Sequence, residues 1–305
     1  SGGSLQLAID VEPSTHIARE VNDYYSAAII TQVMEGLVSM DPKTLKVNPQ
    51  LASDWKVSPD GLTYTFTLRS EVKFHAHPVF KSEKERVLTA NDVVKTIEKA
   101  CSKNEKGEAT HAFAFVYKDL LKGANAFYDG KSKSIEGLQV KGSDIVFELV
   151  KRDDNFLAKM TNVCASISSA KVIEESKEAE LIGTGPFLFT GYVSGDVRKT
   201  ILLKNPDYYL EDEEGNALPY LDSLVFVFQG RKLEQLDMFE NKQLDLITGL
   251  PPSRITKMLE GRIKDFNSSP PLFVMHNNPL LFTNYYFFNM TDPRFVNVKV
   301  RQAFN

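Results

Sequence analysis

Near the start of the chain, apolar Leu5, Leu7 and Ile9 alternate with Gln6, Ala8 and Asp10. That is the period of a strand with one buried face. A loop containing Pro13 follows, and residues 24–37 then place Ile29, Ile30, Val33 and Leu37 on one helical face. Asp41-Pro42 and Ser58-Pro59-Asp60-Gly61 are turn signals. Residues 62–68 alternate large apolar side chains with threonine, a one-sided strand. Thr89 is placed to cap a helix over 90–100, with Asp92 in its first turn where the helix dipole favours an anion. A second helical stretch is predicted over 111–121. A hairpin is predicted from 138–140 and 145–150 around Lys141-Gly142-Ser143-Asp144, and a helix over 155–162. Strands are expected at 187–193, 200–204, 223–228 and 244–247, and helices at 233–241 and 253–259. An aromatic strand at 281–290 and a helix from 298 complete the chain. Strands and helices mix throughout, so the predicted class is α/β with some antiparallel hairpins, and no repeat is evident.

Composition narrows the function classes. The 305 residues correspond to about two domains. At 42% hydrophobic and 25% charged, usage is that of an ordinary globular chain. A net charge of -4 leaves no cationic excess for a phosphate backbone, which argues against nucleic acid as a partner. No apolar run reaches the roughly 18 residues needed to cross a bilayer. Two cysteines, Cys101 and Cys164, are too few for a disulfide scaffold or a cysteine zinc site; they are either a pair or two buried thiols. The opening Ser1-Gly2-Gly3-Ser4 suits a flexible tether on a processed chain, and a cloning scar reads the same way.

Candidate chemistry is sparse. His75-Ala76-His77 could face one side of a strand and ligate a metal, but Pro78 breaks the strand, and a surface turn is expected. Gly183-Thr184-Gly185-Pro186 has neither the third glycine of a dinucleotide fingerprint nor the Gly-Lys-Ser/Thr of a P-loop. Residues 211–216 are oxygen-rich but lack the spacing of a calcium loop, so a solvated acidic loop is expected. No nucleophile elbow and no His-Glu-x-x-His occur. Nothing points to catalysis, and neither a cofactor nor a metal is expected.

Several phrases carry a family resemblance. Met34-Glu35-Gly36-Leu37-Val38 closes the first helix, and Pro49-Gln50-Leu51-Ala52-Ser53-Asp54-Trp55 runs through Ser58-Pro59-Asp60-Gly61 into Tyr64-Thr65-Phe66-Thr67-Leu68-Arg69. Val72-Lys73-Phe74-His75, Leu88-Thr89-Ala90-Asn91-Asp92-Val93-Val94 and Gly183-Thr184-Gly185-Pro186-Phe187 follow. Asn205-Pro206-Asp207-Tyr208-Tyr209, Leu218-Pro219-Tyr220-Leu221-Asp222, Asp245-Leu246-Ile247 and Val298-Lys299-Val300-Arg301-Gln302-Ala303-Phe304 complete the set. In this order they resemble the extracellular solute-binding proteins of family 5, the peptide and nickel receptors of bacterial ABC importers. Two departures stand out: His75-Ala76-His77-Pro78 replaces the usual His-Asp-Gly turn, and a charged insertion at 81–86 follows it.

The resemblance implies a fold like the type II periplasmic binding proteins: two lobes of mixed sheets with an inserted extra domain, cut before the second lobe is complete. On that basis residues 1–48 with 182–270 are expected to form one discontinuous ligand-binding lobe, with Leu5–Ile9 sharing a sheet with strands beyond Phe187. Residues 49–181 would be the inserted domain and 271–305 the start of the second ligand-binding lobe. Tyr24, Tyr25 and Ser26, at a helix start, and Thr248 and Gly249, after a strand, are the expected ligand-binding residues. Phe113, Phe115 and Tyr117 are read as core. The implied role is capture of a peptide between lobes and its delivery to a membrane permease, outside a bacterial membrane and held by a lipid anchor. A nickel chelate, an oligosaccharide or a hydrolase with a scattered site are the alternatives. A chain with an incomplete second lobe is expected to bind peptides only at millimolar strength and to self-associate through the 281–290 aromatics.

Overall fold

The computed structural model describes residues 2–175, 181–276 and 287–304, which divide into two compact units, 1–251 and 252–305. In the first unit the elements are β1 (Ser4–Ile9), α1 (Tyr24–Val33), β2 (Val38–Met40), β3 (Val47–Pro49), β4 (Ala52–Val57) and β5 (Thr63–Leu68). They continue with α2 (Ala90–Ala100), α3 (Ala124–Tyr128), β6 (Leu138–Lys141), β7 (Asp144–Glu148), α4 (Phe156–Met160) and α5 (Ala170–Glu175). The last are β8 (Phe187–Val193), β9 (Lys199–Lys204), β10 (Ser223–Phe228) and α6 (Lys232–Glu240). The fold class is α/β.

Two four-stranded sheets organise this unit. The first has the order β1-β10-β9-β8, so the leading strand of the chain shares a sheet with strands almost two hundred residues later. β1 pairs with β10 in parallel, from Ser4 opposite Ser223 to Ile9 opposite Phe228, and a further parallel bridge joins Leu7 to Leu246. The alternation of β1 explains its two-sided packing. Leu5, Leu7 and Ile9 meet Ile29, Ile30 and Val33 of α1, while Ala8 on the other face joins Val225, Val227 and Leu244, with Met238 and Phe239 of α6 packed against them. The result is helix, sheet, helix. The second sheet, β4-β5-β7-β6, is antiparallel and covers the larger core, with Phe66, Phe74, Phe147 and Phe156 buried.

Local signals mostly act as expected. The Asp92 carboxylate accepts the backbone N–H and the hydroxyl of Thr89, both at 2.7 Å, which starts α2 where the cap predicts. Other elements differ. α1 ends at Val33, because Met34 turns to extended backbone. The stretch over 111–121 contains a π-turn at Phe113–Tyr117 that buries Phe113 and Tyr117 but leaves Phe115 exposed and stacked on His111. Residues 244–247 form no strand beyond the Leu246 bridge. Cys101 and Cys164 are both free and buried.

The junction between the two sheets corrects one reading. His75 is no surface turn. It is buried, its Nε2–H donates to the Gly185 carbonyl at 2.9 Å, and its Nδ1 accepts the Gly183 N–H at 3.3 Å. The charged insertion is likewise structural: Arg86 is buried, donating to the Phe74 carbonyl at 2.9 Å and pairing with Asp207 at 2.6 Å and Glu83 at 2.7 Å. The glycines of Gly183-Thr184-Gly185 serve close approach. A Cβ on Gly183 would lie 2.1 Å from the Val33 carbonyl oxygen, the end of α1. Beside them Glu35 is buried, its carboxylate accepting from Thr184 at 2.8 Å, Tyr208 at 2.9 Å and Gln50 at 3.1 Å.

The second unit contains α7 (Ile255–Gly261), α8 (Ile263–Phe266), α9 (Pro293–Val296) and α10 (Val298–Gln302), with Phe288, Phe295 and Phe304 in contact. Of the expected strand at 281–290, residues 281–286 lie outside the described residues, and 287–290 form no strand.

Candidate functional site

Parallel strands leave their carboxyl ends at one edge of a sheet, where α/β folds place their sites. Here β1 ends at Ile9, β10 at Phe228, and the segment bridged at Leu246 runs on through Ile247 to Thr248. Asp10 follows β1, Lys232 opens α6, and Thr248-Gly249 forms the turn beyond the bridge, so all three come to one edge. The Gln229 N–H donates to the Ile9 carbonyl at 3.0 Å, and Gly230 lets this turn close on Asp10, whose carbonyl oxygen would lie 3.0 Å from a Cβ there.

The side chains at this edge are linked. Lys232 Nζ donates to Asp10 Oδ1 at 2.6 Å, to Gln235 Oε1 at 3.2 Å and to the Thr248 carbonyl at 2.9 Å. Buried Gln235 donates to Asp10 Oδ1 at 2.8 Å. Burial opposes ionisation of Asp10, but the hydrogen bonds from Lys232 and Gln235 prevail and hold its carboxyl below the usual range. Tyr25 completes the chain: burial and the neighbouring Asp10 carboxylate, with which its hydroxyl interacts, push its phenol up. Of the five residues singled out from sequence, Tyr25 and Thr248 are therefore linked through Asp10 and Lys232, which sequence reasoning missed; Tyr24 packs on Tyr25 and Gly249 follows Thr248, whereas Ser26 bonds elsewhere.

Their individual settings differ. Tyr24 is 69% exposed, with its ring edge-to-face against Tyr25 at 5.6 Å. Tyr25 is half-buried, and Thr248 and Gly249 are exposed. Ser26 is buried, its hydroxyl accepting the Ser14 N–H at 2.9 Å and its own N–H donating to the helix cap Asp23 at 2.8 Å. Ser26 thus ties the 11–23 loop to α1. Gly249 has φ +74°, a left-handed turn that glycine adopts without strain.

Other candidates recede on geometry. The Asp212 carboxylate accepts the N–H groups of Glu214 and Asn216, the Asn216 side chain and the Tyr220 hydroxyl. Those bonds hold it far below the usual carboxylate range and close the acidic loop on itself. Among the described residues no group of three His, Cys, Asp or Glu side chains could hold a metal ion, and no helix is long and apolar enough to cross a membrane.

Known proteins match this scaffold, which is of the type II periplasmic-binding-protein kind. The model of the bacterial extracellular solute-binding proteins, family 5 Middle, matches residues 46–305. The chain belongs to this family. Among its curated relatives, di/tripeptide-binding protein 4 of Pseudomonas aeruginosa is 36% identical over 204 residues, 64% of this chain and 35% of that protein. Heme-binding protein A of Haemophilus influenzae is 27% identical over 90% of this chain and 47% of its own length. Among solved structures, the periplasmic binding protein DppA of Helicobacter pylori, in complex with the peptide STSA, superposes with a TM-score of 0.70 at 25% identity. That match covers 85% of this chain and 49% of the other. A periplasmic oligopeptide-binding protein of Borrelia burgdorferi gives 0.71 at 26% identity, covering 85% and 49%. The chain spans about half the length, or less, of these family members.

Proposed function

We propose that this chain is part of a receptor that captures peptides outside a bacterial membrane and passes them to the permease of an ABC importer. Residues 1–48 with 182–270 supply one ligand-binding lobe, 49–181 the inserted domain, and 271–305 the beginning of the opposing lobe. The carrying observation is the sheet edge where Tyr24, Tyr25, Thr248 and Gly249 meet. Its charges, Asp10 and Lys232, are committed to each other. What it offers a ligand is an aromatic ring, a hydroxyl and backbone groups, which suits a peptide main chain of any sequence. The di/tripeptide-binding relatives support the same ligand class. Ser26 acts behind this surface by fixing the loop and helix start. A lipid anchor on the exported receptor fits the family reading.

Calorimetric titration with trialanine, a nickel–histidine chelate and a trisaccharide tests the ligand class. Saturable binding of trialanine, recovered uncleaved, is expected. Saturation by the chelate or the saccharide alone, or turnover of the peptide, overturns the reading.

A further inference from the structure

The contacts at the sheet edge carry one step more. Lys232 has three ammonium donors, and all three are engaged, by Asp10, Gln235 and the Thr248 carbonyl. An ammonium with no free N–H is poorly suited to take a ligand carboxylate; its geometry is that of a strut. The segment it reaches needs one. The 244–248 stretch is joined to β1 by the bridge at Leu246 and by hydrogen bonds of Asp245 and Leu246 with Gln6, all of them before Ile247, and the chain then enters the left-handed turn at Gly249. Beyond that bridge, the Lys232 bond takes up the Thr248 carbonyl, a charge-assisted contact across 16 residues of sequence. The other end of the strut is anchored: Asp10 also accepts from buried Gln235 and interacts with Tyr25, next to exposed Tyr24.

We infer that Lys232 is a positioning residue that locks the Thr248-Gly249 turn to Asp10 and the Tyr24-Tyr25 helix start, presetting the two halves of the binding surface relative to each other. Its bearing on affinity rests on the peptide-receptor reading; its bearing on the turn does not. A preset surface binds more tightly because less conformational freedom is lost on binding.

The test uses the 305-residue chain with ¹⁵N relaxation at Thr248 and Gly249, urea midpoints as a check on folding, and trialanine as the probe. In the unsubstituted chain both amides should be rigid, with order parameters of about 0.85; in Lys232→Met they should fall below about 0.6. Lys232→Gln, which keeps a shorter polar side chain, supplies the same comparison if Lys232→Met fails to fold. The swapped double variant Asp10→Lys with Lys232→Asp separates positioning from charge pairing. It restores an ion pair, yet an aspartate cannot donate to the Thr248 carbonyl. The urea midpoint should therefore recover while the order parameters stay low and trialanine affinity stays weaker by on the order of tenfold. Unchanged order parameters in Lys232→Met, or their recovery in the swap, overturn the inference. So does unchanged trialanine affinity in Lys232→Met when the unsubstituted chain binds it. Rigid amides in a chain that binds no trialanine overturn the peptide reading instead, and the order parameters of the variants still decide the role of Lys232.

Discussion

The buried imidazole at the junction between the two sheets makes stability respond to acid. His75 accepts the Gly183 N–H on Nδ1 and donates from Nε2 to Gly185. A second ring proton would face the Gly183 donor and displace that bond. Burial, reinforced by the positive charge of Arg86, pushes the imidazole down from 6.5 to about 4. Between those values the unfolded chain binds a proton that the native state refuses, so the contribution is fully present above pH 6.5 and is lost as pH falls toward 4. The gap is worth about 3 kcal/mol when completed, and about 2 kcal/mol is lost already between pH 7 and pH 5. Carboxylates titrate over the same range, so the comparison must be with a non-titrating variant. His75→Gln serves, whatever it costs in absolute stability. Urea unfolding can be followed through Trp55, the single tryptophan, which packs against the larger core. The unfolding free energy of the unsubstituted chain should drop by about 2 kcal/mol more than that of His75→Gln when pH goes from 7 to 5. Parallel pH dependences for the two proteins would refute the argument.

Glu35 should behave with the opposite sign. Burial raises its carboxyl above 4.5 despite the hydroxyls of Thr184 and Tyr208, so its contribution is full below pH 4.5 and falls as pH rises; Glu35→Gln should gain on the unsubstituted chain between pH 4 and 7 in the same urea assay. Gly183→Ala drives a methyl into the Val33 carbonyl and should lower the unfolding free energy by about 3 kcal/mol, whereas Gly195→Ala, with its nearest neighbour 3.9 Å away, should be nearly neutral. Burial pushes the Cys164 thiol up to about 12 and that of Cys101 higher still. Neither should react with a disulfide reagent at pH 8 until the chain unfolds, and prompt release of two thiolate equivalents from native protein would contradict their burial.

Local pattern was enough where a residue's environment is set by its chain neighbours. The alternation at β1 and β5, and the Thr89–Asp92 cap of α2, act within a few residues, and the structure places those elements at or within one or two residues of the expected bounds. The family resemblance singled out Tyr24–Ser26 and the end of an expected strand singled out Thr248-Gly249, but neither said what joins them. That needed tertiary structure, because Asp10 and Lys232 are 222 residues apart and meet only once β1 and β10 pair in parallel. The same physics explains the misread His75. A histidine three residues before Pro78 looks like a turn until the Gly183-Thr184-Gly185 backbone, more than a hundred residues later, closes over it and occupies both ring nitrogens. It also explains why α1 stops at Val33 although the apolar pattern continues to Leu37: the end of the helix is where those glycines pack. Periodicity encodes which face of an element is apolar, whereas only the folded chain decides which distant backbone groups that face must accommodate.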